Sequence, residues 1–128
     1  MKRYFQPEIE CASRDEIHKI QSERLVKQVR NVWDNVPMYR KKMEEKGLTP
    51  EDIKSVDDLP KLPFIEKDDL RDEYPYGLLA RPLSECVRIQ STSGTTGRRV
   101  VAFYTQHDID LWEDCCARAI VAAGGTKE

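Results

Sequence analysis

The run Cys86-Val87-Arg88-Ile89-Gln90-Ser91-Thr92-Ser93-Gly94-Thr95-Thr96-Gly97-Arg98-Arg99-Val100-Val101-Ala102-Phe103-Tyr104 sets two short segments rich in β-branched and aromatic side chains on either side of a polar loop. Cys86 to Gln90 and Val100 to Tyr104 read as strands. Between them, the nine residues Ser91 to Arg99 carry five hydroxyl side chains, two glycines and two arginines. Gly94 and Gly97 can take positive φ, which lets a loop turn a row of backbone N–H groups and hydroxyls toward one point. Such a loop can hold an anion, phosphate above all, without a buried counter-charge. It is not a Walker A loop, because only two threonines separate the glycines and arginine follows the second. Nor is it the G-x-G-x-x-G turn of a dinucleotide fold. A plain polar hairpin would use the same residue types, so composition alone leaves both readings open.

Working downstream, Thr105 with Asp108 caps a helix whose Ile109, Trp112, Cys116, Ala119, Ile120 and Ala123 share one face, ending at Gly124-Gly125. The chain reaches Glu128 where an α/β pattern calls for a further strand, so an incomplete fold is expected. Upstream, prolines at 60, 63, 75 and 82 forbid long regular elements. The stretch reads as a strap with Phe64, Leu70, Tyr76, Leu78 and Leu79 as anchors and one helical island from Lys67 to Tyr74. Earlier still, Ser13 with Glu16 forms an S-x-x-E capping box. Behind it Ile17, Ile20, Leu25, Val29, Val32, Trp33 and Val36 recur at helical spacing up to Pro37. Pro37 opens a shorter helix that closes at Gly47, whose missing Cβ suits a left-handed C-terminal position. Thr49-Pro50-Glu51-Asp52 and Ser55 to Leu59 each read as a further helical turn.

The chain has 128 residues and a net charge of -2 from 21 basic and 23 acidic side chains, interleaved in sign. That disfavours nucleic acid as a partner. The run Arg40-Lys41-Lys42 is followed by Glu44-Glu45 and reads as a solvated helix face. No apolar run approaches the ~18 residues of a membrane span, and the first residues lack a secretory signal; a soluble cytoplasmic chain with no membrane partner is the expectation. Leu, Ile, Val and Phe together number 29, enough for a core but a thin one. Cys11, Cys86, Cys115 and Cys116 contain no C-x-x-C pair, so a structural zinc site is disfavoured and all four are expected to act as free thiols and small hydrophobes. His18 and His107 lack a partner acid in sequence and are expected at the surface. Arg99 is expected to face solvent.

Ser91-Thr92-Ser93-Gly94-Thr95-Thr96-Gly97 resembles the phosphate-binding signature of the adenylate-forming superfamily, the S-G-[ST]-T-G loop of acyl-CoA synthetases. Leu62-Pro63-Phe64, Lys67-Asp68-Asp69-Leu70-Arg71, Tyr74-Pro75-Tyr76-Gly77-Leu78 and Tyr104-Thr105 leading into Asp108-Ile109-Asp110-Leu111-Trp112 extend the likeness to the amino-terminal part of the phenylacetate-CoA ligases. The resemblance implies ATP-dependent activation of an arylacetic acid to acyl-AMP and then to the coenzyme A thioester. Its implied small molecules are the aryl acid, ATP and CoA, with magnesium assisting; CoA and magnesium would be bound mainly outside this segment. Carried over residue by residue, Ser91, Thr92, Ser93, Gly94, Thr95, Thr96, Gly97 and Arg98 would hold the ATP phosphates. Many relatives have Lys at the position of Arg98, and arginine brings a planar fork in place of a point charge.

The expected fold class is therefore α/β: a helical amino-terminal lead-in over residues 1–61, then over 62–128 a connector and the first strands and helix of an ATP-binding subdomain. No catalytic or metal-ligating residue is expected in this segment, which alone should be inactive; relatives suggest a homodimer. The rival expectation is a small non-catalytic helical interaction module with a vestigial phosphate loop.

Overall fold

The computed structural model describes residues 4–95, 97 and 99–126. A four-residue helix α1 (Pro7–Glu10), not anticipated from the sequence, opens the described chain. Pro7 fits its first turn, and the Glu10 carboxylate reaches back to accept from the amides of Phe5 and Gln6 at 2.8 and 2.6 Å.

Helix α2 (Arg14–Asn35) begins at the expected capping box: Ser13 Oγ accepts from the Glu16 amide, and the Glu16 carboxylate accepts from the Ser13 amide at 2.8 Å. Helix α3 (Pro37–Glu45) follows after a single residue. It stops at Gly47, which adopts φ +67°, while the amides of Gly47 and Leu48 donate to the carbonyls of Glu44 and Met43 at 2.9 Å. This pair of bonds is a Schellman closure, which only a residue without a Cβ enters at no steric cost. Two 3-10 turns, Pro50–Asp52 and Val56–Lys61, wrap the chain back onto α2.

The core lies here. Val29 of α2, Met43 of α3 and Ile53 beside the first 3-10 turn are buried together, flanked by Leu25, Trp33, Tyr39, Leu48 and Leu62. The basic run is not a wholly solvated face. Arg40 donates to the carbonyls of Trp33 and Asp34 at 2.6 and 3.1 Å and lies over the Trp33 ring, meeting the partial negative charge of the α2 C-terminus. Lys42 pairs with Asp69 at 2.7 Å, joining α3 to α4 (Lys67–Asp72). Lys41 alone of the three stays in the exposed role, in a loose i,i+4 pair with Glu45.

The connector is strapped down as expected at Leu70, Leu78 and Leu79, which are half-buried. Phe64 is not an anchor: its side chain is 89% exposed. The backbone is what is tied there, because Tyr39 Oη donates to the Pro63 carbonyl at 3.1 Å, which leaves the ring outside.

After a 3-10 turn at Leu83–Glu85, strand β1 (Cys86–Ser91) pairs antiparallel with β2 (Val101–Thr105) in a two-stranded sheet. The register sets Ile89 opposite Phe103 and Ser91 opposite Val101, with an irregularity between Cys86 and Arg88. Helix α5 (Gln106–Ala122) starts at Thr105, whose side chain accepts from the Asp108 amide. It packs on β2 through Ile109 but leaves Trp112, Cys116 and Ile120 exposed. Two strands are too narrow to cover a helix of 17 residues, so the apolar face read from the sequence exists and remains largely uncovered. Cys115 and Cys116 on α5, and Cys11 near the start, are exposed, not the packed small hydrophobes expected.

Met43 has no exposed surface. Met43→Ala is expected to lower the unfolding free energy by about 2–5 kcal/mol, read as a lower urea midpoint at constant slope. Acid stability should depend on Asp58, whose carboxyl is held down to about 2 by the Lys61 ammonium and by the amides of Lys54 and Ser55. Its ionised form favours the folded chain above the ordinary carboxyl value of about 4, and this contribution disappears as pH falls from there through about 2. Asp58→Asn should flatten that part of the stability profile in a pH series of thermal melts.

Candidate functional site

Strand β2 is gripped from both faces. The Phe103 ring meets Tyr76 of the connector with centroids 5.6 Å apart, and the Tyr104 ring stacks on Trp112 of α5, also at 5.6 Å. Successive side chains of a strand point to opposite faces, so two adjacent aromatics fix the ribbon between connector and helix. The loop is carried at the free end of this ribbon.

Its base is closed by a reciprocal pair: the Thr92 amide donates to the Val100 carbonyl at 3.0 Å, and the Val100 amide donates to Thr92 Oγ1 at 3.1 Å. One threonine thus extends the ladder with its backbone and its hydroxyl together. Ser91, read as the first loop residue, is the last rung of the ladder, opposite Val101. Beyond Thr92 the chain turns at Gly94, whose carbonyl accepts from the Gly97 amide at 3.2 Å. Gly94 has φ +73° and Gly97 φ +136°, conformations that a side chain would strain. Both glycines therefore serve the turn that the sequence assigned to them.

Among the described residues, the amides of Ser93, Gly94 and Thr95 take part in no hydrogen bond, and neither do the hydroxyls of Ser93 and Thr95. Ser93 and Thr95 are exposed and Gly94 is half-buried. The loop thus keeps three consecutive amides and two hydroxyls available, while Thr92 is spent on holding the loop shut. Thr96 and Arg98, both expected at the phosphates, lie outside the described residues.

Arg99 is exposed, as expected, but its stem also lies against the turn. A Cβ at Gly94 would lie 2.7 Å from Arg99 Cγ and 3.5 Å from its Nε. The arginine stem therefore passes close over the turn while the side chain remains exposed. Sequence spacing gives no warning of this, since Arg99 stands five positions beyond Gly94.

The histidines do not join the loop. His18 pairs with Asp57 at 3.0 Å beside a shallow hollow lined by Ser22, Val26 and Lys54, and His107 is exposed in the first turn of α5. No group of three or more His, Cys, Asp or Glu side chains among the described residues is placed to hold a metal ion. No described helix is long and apolar enough to cross a membrane.

The chain is 50% identical over 117 residues to the phenylacetate-coenzyme A ligase of Aromatoleum evansii, 48% over 119 residues to that of Pseudomonas putida, and 46% over 120 residues to that of Escherichia coli strain K12. These matches take in 91–94% of this chain and 27–28% of each relative. The chain thus spans about a quarter of the length of the curated relatives it matches. Among solved structures, a 2-hydroxyisobutyryl-CoA ligase in complex with 2-HIB-AMP and CoA superposes with a TM-score of 0.83 at 31% identity, over 94% of this chain and 26% of that one. The same ligase in its postadenylation state with 2-HIB-AMP gives 0.84 at 28% identity. No protein-family model matches.

The reciprocal pair at the loop base can be tested alone. Thr92→Val leaves the Val100 amide without its acceptor, a loss of about 1 kcal/mol. Hydrogen exchange at Val100 should accelerate roughly five- to tenfold, with the amide of Phe103 unchanged.

Proposed function

From the homology of this chain to an amino-terminal segment of phenylacetate-coenzyme A ligases, we propose that it is the phosphate-holding opening portion of an ATP-dependent acid–CoA ligase acting on an arylacetic acid. In that reading residues 1–61 are a helical lead-in, and residues 62–128 begin the ATP-binding subdomain. In the first step a substrate carboxylate oxygen bonds to the α-phosphorus of ATP. The bond from that phosphorus to the bridging oxygen breaks, and pyrophosphate leaves with the electron pair. In the second, the thiol of coenzyme A loses its proton to solvent, its sulfur bonds to the acyl carbonyl carbon, and the bond from that carbon to the phosphate oxygen of AMP breaks, AMP leaving with the electron pair. An enzyme of this chemistry would work in the cytoplasm, where ATP and CoA are supplied.

The observation that carries the proposal is the row of unpaired amides at Ser93, Gly94 and Thr95 in a turn held by two positive-φ glycines. Donors fixed in advance around the leaving pyrophosphate stabilise charge that builds up as the bond to the α-phosphorus breaks. Ser93, Thr95 and Thr96 would add hydroxyl donors, and Gly94 and Gly97 would let the backbone come close. Arg98 would supply positive charge. Ser91 and Thr92 take the supporting part, since one is a ladder rung and the other clasps the loop base. Magnesium, which the resemblance implies, finds no cluster of ligands among the described residues of this segment.

The test is ATP–pyrophosphate exchange driven by phenylacetate in the ligase that contains this segment. Thr95→Ala should slow exchange about 10- to 100-fold, the scale of losing one preorganised donor, and Gly94→Val should abolish it. Exchange no faster than that of the Gly94→Val variant would overturn the proposal.

A further inference from the structure

The phosphate-holding reading leaves Arg99 without a part, yet its stem runs over Gly94, close enough that a Cβ there would strike Arg99 Cγ at 2.7 Å. We infer that Arg99 is a second charged element of this loop, whose guanidinium binds the terminal phosphoryl oxygens of the nucleotide and of the pyrophosphate it releases. This rests on the proposed function and assigns one more residue to its site.

Three observations bear on it. The side chain is exposed, and no ion pair with a carboxylate reaches it among the described residues, so its charge is uncompensated. Arg40, by contrast, is spent on carbonyls at the end of α2, and Arg71 on Asp68. The stem is brought to the same turn that leaves the amides of Ser93, Gly94 and Thr95 unpaired. An oxyanion settling there meets neutral donors and a full positive charge together. The planar fork of arginine can engage two phosphoryl oxygens through parallel N–H donors, a fixed geometry that a lysine ammonium lacks. Gly94 is then required twice, once for its φ of +73° and once because any side chain would displace the Arg99 stem.

The experiment compares Arg99→Met, Arg99→Lys and Thr95→Ala in the full ligase, measuring KM for ATP and inhibition by inorganic pyrophosphate alongside kcat. Arg99→Met keeps an unbranched stem over Gly94 and removes the charge. It should raise KM for ATP and the inhibition constant of pyrophosphate about tenfold, the scale of one charge-assisted contact, with KM for the acid unchanged at saturating ATP. Arg99→Lys should recover only part of this, and added salt should weaken pyrophosphate inhibition less in Arg99→Met than in the parent. If Arg99→Met matches the parent within twofold while Thr95→Ala impairs exchange, the Arg99 assignment is overturned and the phosphate loop stands. If Thr95→Ala also has no effect, both fall.

Discussion

Two hydrogen bonds between Thr92 and Val100, one donated by each amide, bring the ends of the loop together, and what the loop can offer a ligand follows from that closure. Because the threonine hydroxyl does the work of a further ladder rung, the next residues are released from the sheet. Among the described residues the turn at Gly94 carries one internal bond, from the Gly97 amide. The amides of Ser93, Gly94 and Thr95 are left unspent, which is the condition for anion binding. Had the ladder run on, those donors would have been consumed by the partner strand.

The two ends of the chain are held by different means. The helical lead-in is built around Val29, Met43 and Ile53, and it sustains itself by apolar burial. The loop-bearing part buries little: Ile89 is 60% exposed and Ile120 59%. It is kept in place by discrete contacts, among them the Lys42–Asp69 pair, the bond from Tyr39 to the Pro63 carbonyl, and the bond from Arg118 to Gln6 at 2.6 Å that ties α5 to the region before α1. The chain matches only about a quarter of its relatives, and a ribbon of two strands offers few places to bury an apolar face. The apolar surface on β1 and α5 accords with an incomplete fold of this kind.

Charge is used unevenly in the same way. Four cations in and beside the lead-in are engaged: Arg40 at a helix end, Lys42 and Lys61 with carboxylates, Arg30 with Glu51. Arg40, Lys42 and Arg30 each join two elements, while the Lys61–Asp58 pair lies within one 3-10 turn. The arginine on the loop has no carboxylate partner among the described residues, in a chain whose acidic side chains outnumber its basic ones. A positive group left without a partner beside free amides is an arrangement suited to a ligand more than to folding.

Local chemistry was legible in the sequence wherever neighbours along the chain settle the geometry. The capping boxes at Ser13 and Thr105 and the glycine stop at Gly47 depend on contacts within a few residues, so spacing suffices to read them, and the two strands flanking the loop show in their β-branched and aromatic content. The turn at Gly94 and Gly97 was legible for the same reason. Tertiary structure alone decided which apolar faces are covered, that the Phe64 ring stays outside while its backbone is tied, and that Arg40 and Lys42 are structural. It also decided that Arg99 lies across Gly94. These outcomes turn on what stands opposite a residue in space, and a side chain's distant neighbours are set by packing, which periodicity along the chain does not encode.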